Sequence, residues 1–266
     1  MTVLERFSVS GPAGVVSGVR RSADGPGVPV VFVHNINGAA AQWTPVLTRL
    51  ADRTVVAVDL RGHGFSHPGD AYGAADYAAD VAAAMDALGI VSAHLVGASF
   101  GGSATVTLAA SQPVRVQSVT VIGGALGVSH LDPDAVIDEL HRLGPTTFFE
   151  QFAAMSFAPG TDDALLDDAV RWAVRNDAAT VEQIIRAAFC ADISAAAARV
   201  TVPALVLTGE HDRTCPPALG AALATALGTK CRVLPGRGHM AHLEDPVLLT
   251  RLIDKQLRDT DSVPTG

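Results

Sequence analysis

The sequence predicts an α/β protein: a mostly parallel central sheet with helices on both faces and a helical insertion. Three observations carry this. Short apolar, β-branched runs such as Val28–Val33, Thr54–Val58 and Arg115–Ile122 alternate with helix-period segments, as in a parallel sheet covered on both faces. The alternation lapses from Leu126 to about Arg199, where helix-period segments follow one another, and resumes at Pro203–Leu207. The chain's 266 residues, 48% of them hydrophobic, suffice for one large core, so one domain with an insertion is expected. The expected division is 1–125 with 200–266 as the core and 126–199 as a helical cap.

Arg6–Ser10 and Gly14–Val19, parted by Gly11-Pro12, read as an antiparallel hairpin at the sheet's leading edge. After the glycine- and proline-rich loop Ser22–Gly27, the strand Val28–Val33 ends at His34. Trp43–Leu50 reads as a helix, Thr54–Val58 as the next strand, and Asp76–Leu88 as an amphipathic helix stopped by Gly89. Ala93–Val96 and the alanine-rich Ser103–Ala110 give a further strand and helix, and Arg115–Ile122 runs into Gly123-Gly124. The insertion offers helices at Pro133–Leu143, Pro145–Ala154, Leu165–Val174 and Val181–Ala188. Beyond it come the strand Pro203–Leu207, a helix near Pro217–Leu227, the strand Lys230–Leu234 and a last helix from Pro246 to Leu257; the polar tail Asp259–Gly266 is expected to fray.

Acidic residues outnumber basic ones 27 to 19, a formal charge of −8 with no basic stripe, so nucleic acid is not an expected partner. Charges interrupt every apolar run before it reaches membrane-spanning length, and the start lacks the pattern of a secretory signal. A soluble, cytoplasmic protein is the expectation, with no membrane partner. Cys190, Cys215 and Cys231 are too widely spaced for a disulfide framework or a zinc site, and neither a metal nor a cofactor is expected.

The chemistry centres on Gly97-Ala98-Ser99-Phe100-Gly101, set between a strand and a helix. A serine on so sharp a turn exposes its hydroxyl, and the amide of Phe100, at the helix start, faces the same space as an oxyanion donor. Such a serine needs a base and an acid to orient it. In an open parallel sheet both belong just after strands on the carboxyl edge, and two later stretches qualify. Asp212 follows the strand ending at Leu207, ahead of its rival Glu210, and His239 follows Leu234 in a glycine loop, ahead of its rival His242. Chain order is then Ser99, Asp212, His239.

With Asp59-Leu60-Arg61-Gly62-His63-Gly64-Phe65-Ser66 and Gly238-His239-Met240-Ala241-His242-Leu243-Glu244-Asp245-Pro246, these motifs make nearly the whole chain resemble the α/β-hydrolase superfamily. The resemblance implies a capped α/β-hydrolase fold with Ser99 as nucleophile, His239 as base and Asp212 as orienting acid. It departs from the family at His34-Asn35-Ile36-Asn37-Gly38, where Asn35 stands in place of the usual glycine. If the loop keeps its path, Ile36 supplies the second oxyanion amide and Asn35 tolerates left-handed geometry; alternatively Asn35 or Asn37 offers its side-chain amide to substrate. His34 is expected to brace this loop and His63 to be structural. Phe149, Phe152 and Trp172, with Phe148, Met155 and Phe157, form either the insertion's own core or a wall of the substrate pocket.

The expected activity is hydrolysis of a carboxylic ester or lactone of a small, largely apolar molecule through an acyl-enzyme. Alternatives are carbon–carbon hydrolysis of a ring-cleavage diketone, peracid chemistry on the same triad, and a low-turnover ligand receptor of the same fold. A serine at the elbow argues against the dehalogenase and epoxide-hydrolase branches, which use aspartate there.

Overall fold

The computed structural model describes residues 3–25, 27–128 and 131–262. Its elements, in chain order, begin with strands β1 (Glu5–Gly11), β2 (Gly14–Arg21) and β3 (Val30–Val33), then helix α1 (Thr44–Leu47), strand β4 (Val55–Asp59) and helix α2 (Ala74–Ala87). Next come β5 (Ala93–Ala98), α3 (Phe100–Ser111) and β6 (Val116–Ile122). Five helices follow without a named strand: α4 (Pro133–Leu143), α5 (Pro145–Ser156), α6 (Asp163–Ala173), α7 (Ala178–Phe189) and α8 (Ser194–Ala197). The chain then returns to the sheet with β7 (Ala204–Gly209), α9 (Pro217–Ala226), β8 (Cys231–Leu234), α10 (Ala241–Glu244) and α11 (Pro246–Asp261).

The eight strands form one sheet in the order β1-β2-β4-β3-β5-β6-β7-β8. β2 runs antiparallel to β1 and β4, and the remaining pairs are parallel. Strand periodicity divides the core between two faces. Val30 and Phe32 join Trp43, Leu47, Leu249 and Ile253 on one side, while Val31 and Val33 join Tyr77, Val81, Ala104 and Leu108 on the other. All four β3 side chains are fully buried, which is why this stretch reads as an unbroken apolar run. The second face continues into the insertion through Ile137, Leu140 and Ile184.

Helix boundaries follow local chemistry. Asp132 caps α4 by accepting from the Asp134 amide at 3.0 Å, Pro133 occupies the first turn, and Gly144 ends the helix at φ 75°. Asp162 caps α6 through the Ala164 amide, and Asp168 pairs with Arg171, so this acidic edge is partly capping and partly solvated. The expected frayed tail is corrected over its first part: α11 continues to Asp261, whose carboxylate meets Arg53 at 2.7 Å and His94 Nε2 at 3.0 Å. Residues 263–266 of that tail lie outside the described residues. Among the described residues no helix is long and apolar enough to cross a membrane.

Candidate active site

The loops leaving β3, β5, β6, β7 and β8 all emerge at the sheet's carboxyl edge, where an open α/β sheet binds ligands. Ser99, between β5 and α3, has φ 51° and ψ −124°, a conformation that only a tightly held turn sustains. Its amide donates to Ile122 O and its carbonyl accepts from Gly102, both at 2.8 Å. A Cβ at Gly101 would collide with the carbonyl of His34, and one at Gly97 with that of Gly101, so helix and strand approach this closely only through glycine.

His239 and Asp212 come together from the β8 and β7 loops. His239 Nδ1 donates to Asp212 Oδ2 at 2.8 Å, and Asp212 Oδ1 accepts from the amides of Thr214 at 3.0 Å and Cys215 at 2.7 Å. The proton on Nδ1 leaves Nε2 as the basic nitrogen. Gly123, at φ 61°, makes room for this pair: a Cβ there would lie 3.0 Å from His239 Nδ1 and 3.2 Å from Asp212 Oδ2. Sequence reasoning treats Gly123 as the end of a strand; the signal that marks it is a Gly-Gly pair at the carboxyl edge. Glu210 accepts from the Gly236 amide at the surface, fixing the loop. His242 is buried against the Trp43 ring, with centroids 4.6 Å apart, and burial lowers its pKa to about 3.

The β3 loop is braced by two neutral histidines. His34 Nδ1–H donates to Asn35 O at 2.7 Å while its Nε2 accepts from Leu60 N at 3.1 Å. His63 Nδ1–H donates to Arg61 O, and its Nε2 accepts from Asn37 N, both at 2.9 Å. Burial lowers His34 to about 4 and His63 to about 3, so neither charges at neutral pH. Asp59 closes the same region, accepting from Ala40 N and from Ser17 Oγ at 2.7 Å each. The left-handed geometry expected of Asn35 falls instead on Asn37, at φ 59°. Asn35 Nδ2 donates to Ile36 O at 2.9 Å, bracing the peptide that follows Ile36. Among the described residues neither the Ile36 nor the Phe100 amide has a hydrogen-bond partner.

Ser99, His239, Ile36, Phe100, Asn35 and Phe152 line one cavity, walled otherwise mainly by apolar side chains including Leu126, Val128, Phe189 and Met240. A second cavity shares Asn35, Ile36, Phe152 and Met240 with it and reaches Asn37, Phe149 and Phe157 under the insertion. Trp172 reaches neither cavity. Ala169, Val170 and Ala173 form the wall that α6 contributes, and the Trp172 ring turns to meet Phe65 edge-on, with centroids 6.3 Å apart.

A carboxylate joins the insertion to the histidine loop. Glu244 accepts from the Gly238 amide at 2.8 Å through Oε2 and from the Ala158 amide at 3.0 Å through Oε1, and His239 N donates to Ser156 O at 2.7 Å. Burial raises the Glu244 carboxyl pKa, opposed by these amides. The end of α5 and the turn carrying His239 are thereby held as one piece.

A sequence model of the family described as alpha/beta hydrolase fold matches residues 28–246. The chain belongs to this family. It is 30% identical over 255 residues to the 2-(acetamidomethylene)succinate hydrolase of Mesorhizobium japonicum, covering 88% of this chain and 89% of that one. It is also 30% identical over 234 residues to a 2-succinyl-6-hydroxy-2,4-cyclohexadiene-1-carboxylate synthase of Escherichia coli, covering 83% and 90%. An enol-lactonase from Burkholderia xenovorans superposes with a TM-score of 0.84 at 23% identity, covering 95% of this chain and 100% of that one. An esterase from Exiguobacterium antarcticum gives 0.87 at 18%, covering 95% and 99%. At these identities the solved structures establish the fold. The chain is a hydrolase-family α/β protein with a mostly parallel sheet.

Proposed function

We propose that the protein is a serine hydrolase that cleaves a carboxylic ester or lactone of a small, largely apolar substrate, with the helices of 126–199 acting as its cap. The observation that carries this is His239, bonded to Asp212 at 2.8 Å and lining one cavity with the elbow serine Ser99. Ser99 Oγ attacks the substrate carbonyl and its proton passes to His239 Nε2. The developing oxyanion takes hydrogen bonds from the Ile36 and Phe100 amides. The carbon–oxygen bond to the leaving group breaks, His239 protonates the departing alkoxide, and an acyl-Ser99 ester remains. Water then attacks that ester, giving its proton to Nε2, and the acid leaves as Ser99 Oγ regains its proton. Asp212 holds Nδ1–H and offsets the imidazolium charge throughout.

The apolar lining favours an alkyl or aryl group beside the scissile carbonyl. The related succinate-derivative hydrolase and cyclohexadiene-carboxylate synthase are named for carboxylate-bearing molecules, and the esterase and enol-lactonase share only the fold, so the apolar wall bears on the group beside the carbonyl and assay decides the bond. The test is turnover of p-nitrophenyl esters from acetate to decanoate, an aliphatic lactone and a ring-cleavage diketone by the wild type and Ser99→Ala. Fast ester or lactone turnover that vanishes in the variant supports the reading. Turnover of the diketone alone would replace it with carbon–carbon hydrolysis, and silence on all three would favour a receptor.

A further inference from the structure

Besides Asn35, which braces the oxyanion loop, the cavity under the insertion holds two carboxamides that the triad chemistry does not use. Asn37 is 7% exposed and Gln42 6%, and both line this cavity, whose other walls include Phe149, Phe157, Val170 and Leu243. Gln42 Oε1 accepts from the Ala39 amide at 3.0 Å, which fixes the side chain's orientation and leaves its NH2 as an unused donor among the described residues. The Asn37 side chain makes no hydrogen bond among the described residues, and its Oδ1 is buried without a partner. Left-handed backbone geometry alone does not call for asparagine, since glycine adopts φ 59° without desolvating an amide. A buried amide with neither end paired to protein, beside a second amide with a free donor, offers an acceptor and donors to a bound polar group.

We propose that Asn37 and Gln42 form a polar subsite that recognises a secondary carboxamide in the substrate, a short distance from the scissile carbonyl. The Gln42 NH2 donates to the amide carbonyl, and the Asn37 carboxamide accepts from its N–H. The two cavities share Asn35, Ile36, Phe152 and Met240 in their walls, so they adjoin, and the second lies beside a carbonyl held at Ile36. Its apolar walls take the alkyl portion beyond the amide. This subsite deepens the hydrolase reading and rests on it for the identity of the scissile bond.

The experiment compares an N-acylglycine ethyl ester with its isostere in which CH2 replaces the amide N–H. Affinity is measured calorimetrically on the Ser99→Ala protein, where hydrolysis does not intervene, and turnover on the wild type. The amide ligand is expected to bind Ser99→Ala at least tenfold tighter than the isostere. Asn37→Gly, which keeps the backbone geometry, should lower amide affinity to the isostere's level, whereas Gln42→Glu, which keeps the acceptor for Ala39 but loses the donor to the carbonyl that both ligands carry, should weaken both by a similar factor of at least tenfold. Equal affinity for the two ligands, binding of neither, an equal loss for both in Asn37→Gly, or no loss for either in Gln42→Glu would overturn the subsite. Preferential binding without wild-type turnover would retain the subsite and reject the hydrolase; turnover of both esters without preference would do the reverse.

Discussion

Single residues at the carboxyl edge carry sharply different demands, and Gly123 shows the steepest. Its φ of 61° and the 3.0 Å approach a Cβ would make to His239 Nδ1 predict that Gly123→Ala displaces the imidazole. Turnover should fall at least a hundredfold with KM changed less than threefold, in steady-state kinetics on a folded variant. Asn35 is the opposite case. Its own backbone is not left-handed, and its side chain gives one hydrogen bond to Ile36 O, a contribution of about 1 kcal/mol. Asn35→Gly is therefore expected to lose less than tenfold in kcat/KM, and a larger loss would assign the side chain to the substrate. The placement of Ser99, Asp212 and His239 after strand ends at the carboxyl edge is legible in the sequence, because strand runs and the glycine turns that follow them mark those positions. Trp172 misleads because composition places an aromatic residue in the insertion without saying which side of α6 it takes; that follows from packing of Ala169, Val170 and Ala173.

At the scale of elements, strands and long helices follow directly from periodicity, caps and punctuation; α4 has the bounds its Asp132-Pro133 start and Gly144 stop imply. The short helices α8 and α10 escape such reading, since four residues hold too little pattern and are stabilised by what they pack against. Ties between elements are equally hidden, and the Glu244 bridge from Gly238 to Ala158 is the one that matters most here. Glu244 and Ala158 lie 86 residues apart, a relation no local pattern encodes. Glu244→Ala should lower kcat ten- to a hundredfold with a smaller effect on KM, because the His239 loop loses its anchor to α5. Glu244→Gln, with one acceptor oxygen left, should recover part of that loss.

Over the whole molecule, acid sensitivity follows from burying neutral histidines. His34, His63 and His242 have folded pKa values lowered from 6.5 to about 4, 3 and 3, so the unfolded chain binds protons that the folded one refuses. The stability they confer is complete above 6.5 and is lost as pH falls from there toward 3 to 4. Each contributes on the order of 2 kcal/mol of lost stability between pH 7 and pH 5. His242 has both ring nitrogens unpartnered beside Trp43, so His242→Phe should leave stability at pH 7 unchanged or higher. It should also flatten the fall in melting temperature from pH 7 to pH 5, read by scanning calorimetry; an unaltered slope would place a charged His242 in the fold. The mostly parallel sheet and the two-sided core are foreseeable from the alternation of strands and helices, whereas the strand order and the meeting of cavity walls from the β3 loop, α5 and α6 are set by three-dimensional packing.

In the proposed mechanism Ser99 carries a covalent acyl group drawn from an ester substrate. The most direct measurement is mass spectrometry of the protein quenched in acid during turnover of p-nitrophenyl acetate, with peptide mapping of the adduct. An acetyl group is expected on the peptide containing Ser99, formed and lost at rates consistent with turnover and absent from Ser99→Ala. Turnover that persists in Ser99→Ala, or an acetyl group confined to another side chain, would contradict it.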